Sequence, residues 1–249
     1  MNIKFTIDSC RNVELFDLVG EAGLALRPTL LTFLRSRNFP WELLGKPLSE
    51  FVEARISEVK PDKRLQGNIS PMAFLENKES IVIESGAVVE AGAYICGPTF
   101  IESGATVRHG AYIRGQAYIC QGAVVGHASE VKGALLLTGA KAAHFAYVGD
   151  SILGQDANLG AGTKCANLRL DHKEVKVVVG ETSTLSGLKK FGAIFGHRAQ
   201  SGCNAVTNPG TILGPSALVL PNSTATGFIA GRQALKQRIQ PRNGEPGST

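Results

Sequence analysis

Between Ile83 and Leu137 a large aliphatic residue returns at every sixth position: Ile83, Val89, Ile95, Ile101, Val107, Ile113, Ile119, Val125, Val131 and Leu137. Four residues after the first eight of these comes a small one, from Ala87, Ala93 and Thr99 through Ala105, Ala111, Ala117 and Ala123 to Ser129, with glycines clustered between. A helix repeats near 3.6 residues and a strand near 2, so a strict six fits neither. It demands short strands joined by tight corners, with one side chain per edge pointing inward. Three such edges close a triangular coil. Stacked coils pair their backbones at about 4.8 Å, so residues eighteen apart lie above one another and the inward aliphatics form one column. The chain therefore reads as an all-β parallel solenoid.

At 249 residues and 43% hydrophobic content there is ample material for a core, and 29 glycines with 6% aromatics suit turn-dense β-structure. The net charge of +5 comes from dispersed Lys and Arg, gathered only at Lys189-Lys190 and after Arg232. That pattern argues against a nucleic-acid stripe and suits a small anionic ligand. Five scattered cysteines without CxxC spacing read as reduced thiols of a cytoplasmic protein. The opening residues carry no apolar signal core, and no stretch approaches 18 consecutive apolar residues, so neither secretion nor a membrane span is expected.

Residues 1–70 lack the six-fold period. They show helical spacing instead: Leu15, Phe16, Leu18 and Val19, then Leu30, Leu31, Phe33 and Leu34, then Leu48, Phe51, Val52 and Ile56. Pro28, Pro40 and Pro47 stand where first helical turns accept proline. This region reads as a small helical arm and linker, and 71–231 as the solenoid, its regular coils established by about Ser80. After Ala143 the phase is expected to slip by two, making Tyr147, Leu153, Leu159 and Cys165 inward. Residues 168–192 cannot satisfy the repeat and must leave the coil as a loop, the kind of segment that carries binding residues. Stacking resumes with Phe195, Thr207, Leu213 and Val219. Residues 232–249 form a basic tail that reads as helical before Pro241.

Arg114 and Lys132 are eighteen apart, so their cations should sit about 5 Å apart. A phosphate would bridge them; two solvated side chains on a β-edge is the alternative. His144 lies at the phase slip, placed either as a general base near neutral pH or as a structural histidine. His109 and His127 are also eighteen apart, but a His-x4-His pair and a third ligand are missing, so no metal site is expected. The run Asn158-Leu-Gly-Ala-Gly-Thr163 lacks GxGxxG and a following helix, so its glycines read as corners. Asn158 and Asn167 either point into a cleft or satisfy turn backbone.

The run Lys141-Ala-Ala-His-Phe-Ala-Tyr-Val-Gly-Asp-Ser-Ile-Leu-Gly-Gln-Asp-Ala-Asn-Leu-Gly-Ala-Gly-Thr163 closely resembles the acetyltransferase domain of the bifunctional N-acetylglucosamine-1-phosphate uridyltransferase/glucosamine-1-phosphate acetyltransferases. Ala166-Asn-Leu-Arg-Leu-Asp-His-Lys173 and Gly210-Thr-Ile-Leu-Gly214 are similar to archaeal sugar-1-phosphate nucleotidylyltransferases that bear the same domain. The resemblance runs without gaps from about Arg114 to Lys173. It implies a hexapeptide-repeat acyltransferase: a left-handed parallel β-helix forming a homotrimer, with acetyl-CoA as co-substrate and no metal required for transfer. By position, Arg114 and Lys132 resemble the sugar-phosphate contacts, and Tyr147, Asn158 and Lys173 further sugar and phosphate ligands. His144 matches the general base and Asn167 a residue near the acetyl group. Cys203 falls where a serine approaches acetyl-CoA, and Arg232 is aligned with a contact to the CoA phosphate.

There are departures from the family pattern. Leu168 replaces an aromatic, an insertion lies around Glu181 to Gly192, and the LxxGxGTRM-type nucleotide loop is absent. No uridylyltransferase activity is expected from these residues, and a separate nucleotidyltransferase is a candidate partner. The expected reaction is N-acetylation of an amino-sugar phosphate such as glucosamine- or galactosamine-1-phosphate. Two alternatives stand beside it: an acyl-carrier-protein-dependent acyltransferase on a nucleotide sugar, and a non-catalytic scaffold solenoid that binds a sugar nucleotide or a partner.

Overall fold

The computed structural model describes residues 5–20, 23 and 26–235. Successive coils contribute short strands to three parallel sheets of nine, eight and eight strands, called here faces 1, 2 and 3 in chain order. Face 1 runs from Asn68–Ile69 to Ala234–Leu235, face 2 from Phe74–Glu76 to Thr224–Ala225, and face 3 from Ile81–Ile83 to Phe228–Ile229. Val89 pairs with Val107 and Val107 with Val125, one coil at each step. The aliphatic ladder and the small residues of the corners fill the interior as one core. Branched side chains suit such a half-pleated wall, and alanine is what a tight corner admits.

Instead of a single slip of two after Ala143, the column shortens by one residue twice. Inward positions step by five from Val131 to Leu136 and again from Val148 to Leu153. Val131 pairs with Val148, and Leu136 with Leu153, so these coils hold seventeen residues. Both shortenings fall at the corner from face 2 to face 3, which Gly133 (φ +56°) and Asp150 (φ +45°) turn in left-handed backbone. Two residues expected inside are displaced by this. Leu137 enters a second core outside face 3, and Tyr147 stands half-buried on the outside of face 2, with Val148 taking the inward place.

The second core explains the N-terminal region. Helices α1 (Asn12–Leu15), α2 (Pro28–Arg35) and α3 (Lys46–Ser57) do not extend as an arm but lie against face 3. Phe51 meets Tyr118 at 5.2 Å between centroids, and Tyr118 stacks on Phe100 at 5.0 Å. Arg27 anchors this cap with a forked hydrogen bond to Glu84 and with Nε 3.1 Å from Glu102. The Glu102 side chain is only 3% exposed, and it also accepts a 2.7 Å hydrogen bond from Tyr118. The Glu84 hydrogen bond, more than the charge of Glu102, raises the Arg27 guanidinium above its ordinary range, and burial pushes the Tyr118 phenol well up.

The loop expected at 168–192 does leave the coil, but it folds into an antiparallel hairpin of Lys176–Val179 and Thr182–Leu185. Val175, Val177 and Val179 are buried in the second core with Ile194 and Ile212, so the hairpin covers the far end of face 3. Regular coils begin at Asn68, earlier than expected. Ala234–Leu235 pairs with Leu218–Val219, so the start of the expected helical tail is instead the last strand of face 1. The remainder of that tail, 236–249, lies outside the described residues. No described helix is long and apolar enough to cross a membrane.

Candidate active site

Residues singled out in the sequence fall into two groups flanking face 2. The first group lies at its far edge. Ile113 pairs with Val131, so Arg114 and Lys132, which follow them, stack on successive coils. Neither cation is left open for an anion, as the spacing had suggested. Arg114 Nη1 lies 2.7 Å from Glu130 Oε1, and Lys132 Nζ lies 3.7 Å from Asp150 Oδ2. Interleaved carboxylates relieve the repulsion of two stacked cations, and an arriving phosphate would exchange with them.

Asp150 also accepts a short hydrogen bond from Asn167 Nδ2. Tyr147, one coil above Glu130, is hydrogen-bonded to Asn167; burial first, then the charges of Asp150 and Glu130, raise its phenol pKa. The ring lies over Gly149, where a Cβ would stand 2.5 Å from the phenol oxygen. The fold thus gathers Arg114, Lys132, Tyr147 and Asn167, and adds Glu130 and Asp150, which the sequence reading passed over. Their signal was available in the register, since Tyr112, Glu130 and Tyr147 are consecutive rungs of one column.

The second group lies at the corner from face 1 to face 2. His144 ends the strand Lys141–His144 and is exposed. His127 is its strand partner below, and the His127 ring stacks on His109 at 4.1 Å. Among the described residues no three His, Cys, Asp or Glu side chains converge as a metal site. Above His144 the same line continues through Ala161 to Cys203, fixed by the hydrogen bonds from Gly162 N–H to the His144 carbonyl and from Asn204 N–H to the Ala161 carbonyl. Cys203 is exposed and stands two coils, about 10 Å, above His144.

Beside this line runs a strip without large side chains, formed by Gly126, Ala143, Gly160 and Gly202 on successive coils. The next coil passes so close that a Cβ on Gly160 would meet the Gly202 carbonyl carbon at 2.4 Å, and one on Gly202 would meet Pro221 at 2.5 Å. Glycine is enforced there, and a smooth floor results. Asn158, between Lys141 and Gln200, rims the strip on face 1 rather than joining the cations.

Two expected residues remain. Lys173 sits exposed in the loop that follows Asn167, its N–H donating to Asp171 Oδ1. Arg232 turns an exposed corner between faces 3 and 1, a different edge from that of Cys203.

The two groups are compatible with one small ligand. Gly149, the strand partner of Lys132, is five residues beyond His144, and an extended chain rises about 3.3 Å per residue. The strip beside His144 would admit a slender chain lying along the solenoid axis.

Three parallel sheets with polar side chains stacked in register define a hexapeptide-repeat β-solenoid protein. The chain belongs to the GMPPB C-terminal domain family, which matches residues 95–226, just over half of it. The bifunctional sugar-1-phosphate nucleotidylyltransferase/acetyltransferase of Sulfurisphaera tokodaii is 36% identical over 157 residues, covering 63% of this chain and 39% of that protein. The bifunctional protein GlmU of Methanococcus maripaludis is 38% identical over 183 residues, covering 74% of this chain and 42% of that protein. This chain thus spans about two fifths of the length of these relatives. Among solved structures, a hexapeptide transferase family protein from Anaplasma phagocytophilum aligns with a TM-score of 0.20 and 16% identity over 68% of this chain and 80% of that one.

Proposed function

We propose that this chain is a hexapeptide-repeat acyltransferase that uses acetyl-CoA to N-acetylate an amino-sugar phosphate, working as a homotrimer. The observation that carries this reading is the stacking of Arg114 and Lys132 beside Tyr147 and Asn167, on a face whose opposite edge is His144. Arg114 and Lys132 hold the phosphate, exchanging Glu130 and Asp150 for it. The acceptor lies across Tyr147 with its amine toward His144. The acetyl-CoA arm lies on the strip of Gly126, Ala143, Gly160 and Gly202 and reaches His144 past Cys203. As the neutral amine attacks the thioester carbonyl, His144 takes its proton and the carbonyl becomes a tetrahedral oxyanion, steadied by N–H donors. The C–S bond then breaks, and the departing thiolate recovers the proton from the imidazolium, leaving an amide and free CoA.

Purified protein given acetyl-CoA and a panel of amino-sugar phosphates and nucleotide sugars is expected to release free thiol with at least one acceptor; silence across the panel would sink the reading. Lys132→Ala should raise KM for the productive acceptor about tenfold or more with little change in kcat, the scale of one lost charged hydrogen bond. The strip has its own test in cysteine labelling. Cys10, Cys120 and Cys165 are buried, with burial pushing the Cys10 and Cys165 thiols up to about 12, whereas Cys203 is exposed. Cys203 should therefore be alkylated first, and saturating acetyl-CoA should slow that modification; unchanged labelling of Cys203 would place the donor elsewhere.

A further inference from the structure

Face 2 carries an aromatic ladder that the acetyl-transfer scheme leaves unused. Phe74, Tyr94 and Tyr112 are strand partners on its first three coils. Phe74 stacks on Tyr94 at 4.7 Å and 24° between planes, and Tyr94 meets Tyr112 at 5.3 Å, nearly perpendicular. Phe74 remains 56% exposed and Tyr112 41%. Three of the chain's four tyrosines, Tyr94, Tyr112 and Tyr147, thus stand on this one face. Interior packing does not account for them, since the inward places of these coils belong to Leu75, Ile95 and Ile113.

The ladder runs directly into the cation column. The Arg114 guanidinium carbon lies 5.9 Å from the Tyr112 ring centroid, and Lys132 stands one coil further on. Its outer edge is polar, because the Glu76 carboxylate accepts hydrogen bonds from Tyr94 Oη at 3.1 Å and Cys96 Sγ at 3.0 Å. Exposed contiguous aromatic surface on a soluble face marks a binding surface, and stacked aromatics beside cations are how proteins hold a nucleobase joined to phosphate. From the Arg114 coil to the Phe74 coil is two rises, about 10 Å, a span that a ribose and one phosphate bridge. Glu76 is placed to accept hydrogen bonds from ribose hydroxyls.

We infer that the acceptor is a nucleotide-linked amino sugar: its diphosphate engages Arg114 and Lys132, and its base lies on the Phe74–Tyr94–Tyr112 ladder. This names the substrate class for the site under Proposed function and rests on that reading only for the transfer step. The binding step is tested alone, by titration calorimetry of the full chain with UDP, GDP, inorganic pyrophosphate and glucosamine-1-phosphate in the absence of acyl donor. At least one nucleoside diphosphate should bind tenfold or more tighter than pyrophosphate, the scale of one stacked base. In the double variant Phe74→Ser/Tyr94→Ser that advantage should vanish while pyrophosphate affinity is kept. The single variant Phe74→Ser, at an exposed position, guards against a folding defect and should lose part of the advantage.

Equal affinity for nucleoside diphosphate and pyrophosphate, or an advantage that survives both variants, overturns the inference. So does a change of oligomeric mass in Phe74→Ser with nucleotide binding intact, which would make the ladder a contact between copies. Thiol release with sugar phosphates but with no nucleotide sugar overturns it too and leaves the acetyltransferase reading standing. Nucleotide binding without any thiol release removes that reading and keeps the base platform.

Discussion

Replacing His144 with alanine is expected to lower acetyl transfer at least about a hundredfold while leaving acceptor KM and the unfolding temperature close to those of the parent. The size follows from the role: a positioned base that removes a proton from the attacking amine contributes roughly 10²–10⁴ to the rate. The selectivity follows from the location. His144 is exposed at a corner, so its loss opens no cavity in the interior column. Steady-state thiol release, circular dichroism and thermal unfolding on the same preparation separate the two effects. Imidazole added to His144→Ala should restore part of the rate by entering the vacated space as a free base. A variant that keeps more than a tenth of the parental kcat would remove His144 from the chemistry.

The second large effect concerns stability. Arg27→Ala should destabilise the protein by about 2–4 kcal/mol, because it strips Glu84 and the buried Glu102 of their shared cation; the value is set below that of a fully buried pair because Arg27 is itself 38% exposed. For a chain of this length that corresponds to a drop of roughly 5–15 °C in unfolding temperature by calorimetry. Glu102→Gln in the Arg27→Ala background should recover part of the loss, since a neutral amide can still accept the Tyr118 hydroxyl without needing a counter-charge. A shift below about 2 °C in Arg27→Ala would mean that the aromatic packing of Phe51, Tyr118 and Phe100 alone retains the cap.

The solenoid was legible because a six-residue period admits few architectures, and eighteen-residue arithmetic correctly stacked Arg114 under Lys132. The phase changes were hidden by local degeneracy. Leu135, Leu136 and Leu137 are three consecutive leucines, any of which could fill the inward place, and backbone closure at Gly133 rather than side-chain type selects Leu136. Tyr147-Val148 poses the same ambiguity, and the coil resolves it by turning the tyrosine outward.

Arg114 and Glu130 lie on coils of the full eighteen-residue period, so their ion pair was open to register arithmetic, whereas Asp150 reaches Lys132 from a corner that the shortened coil sets. Helical spacing in the first seventy residues identified helices but not what they cover. The clue lay in the outward positions of face 3, where Val82, Phe100, Tyr118, Leu135, Ile152, Ile194 and Ile212 are all apolar and demand a cover. The hairpin strand Lys176–Val179, with Val175, Val177 and Val179 buried, answers the same demand.

A triangular prism offers a neighbour three sides, and this chain has spent one of them on itself. With α2, α3 and the hairpin clothing face 3, the two bare sides are those that bear His144 and the Arg114–Lys132 pair. In a homotrimer of the proposed kind, the contacts between copies and the acetyl-transfer residues would share those two sides, and substitutions near His144 or Lys132 would be expected to change both oligomeric mass and rate.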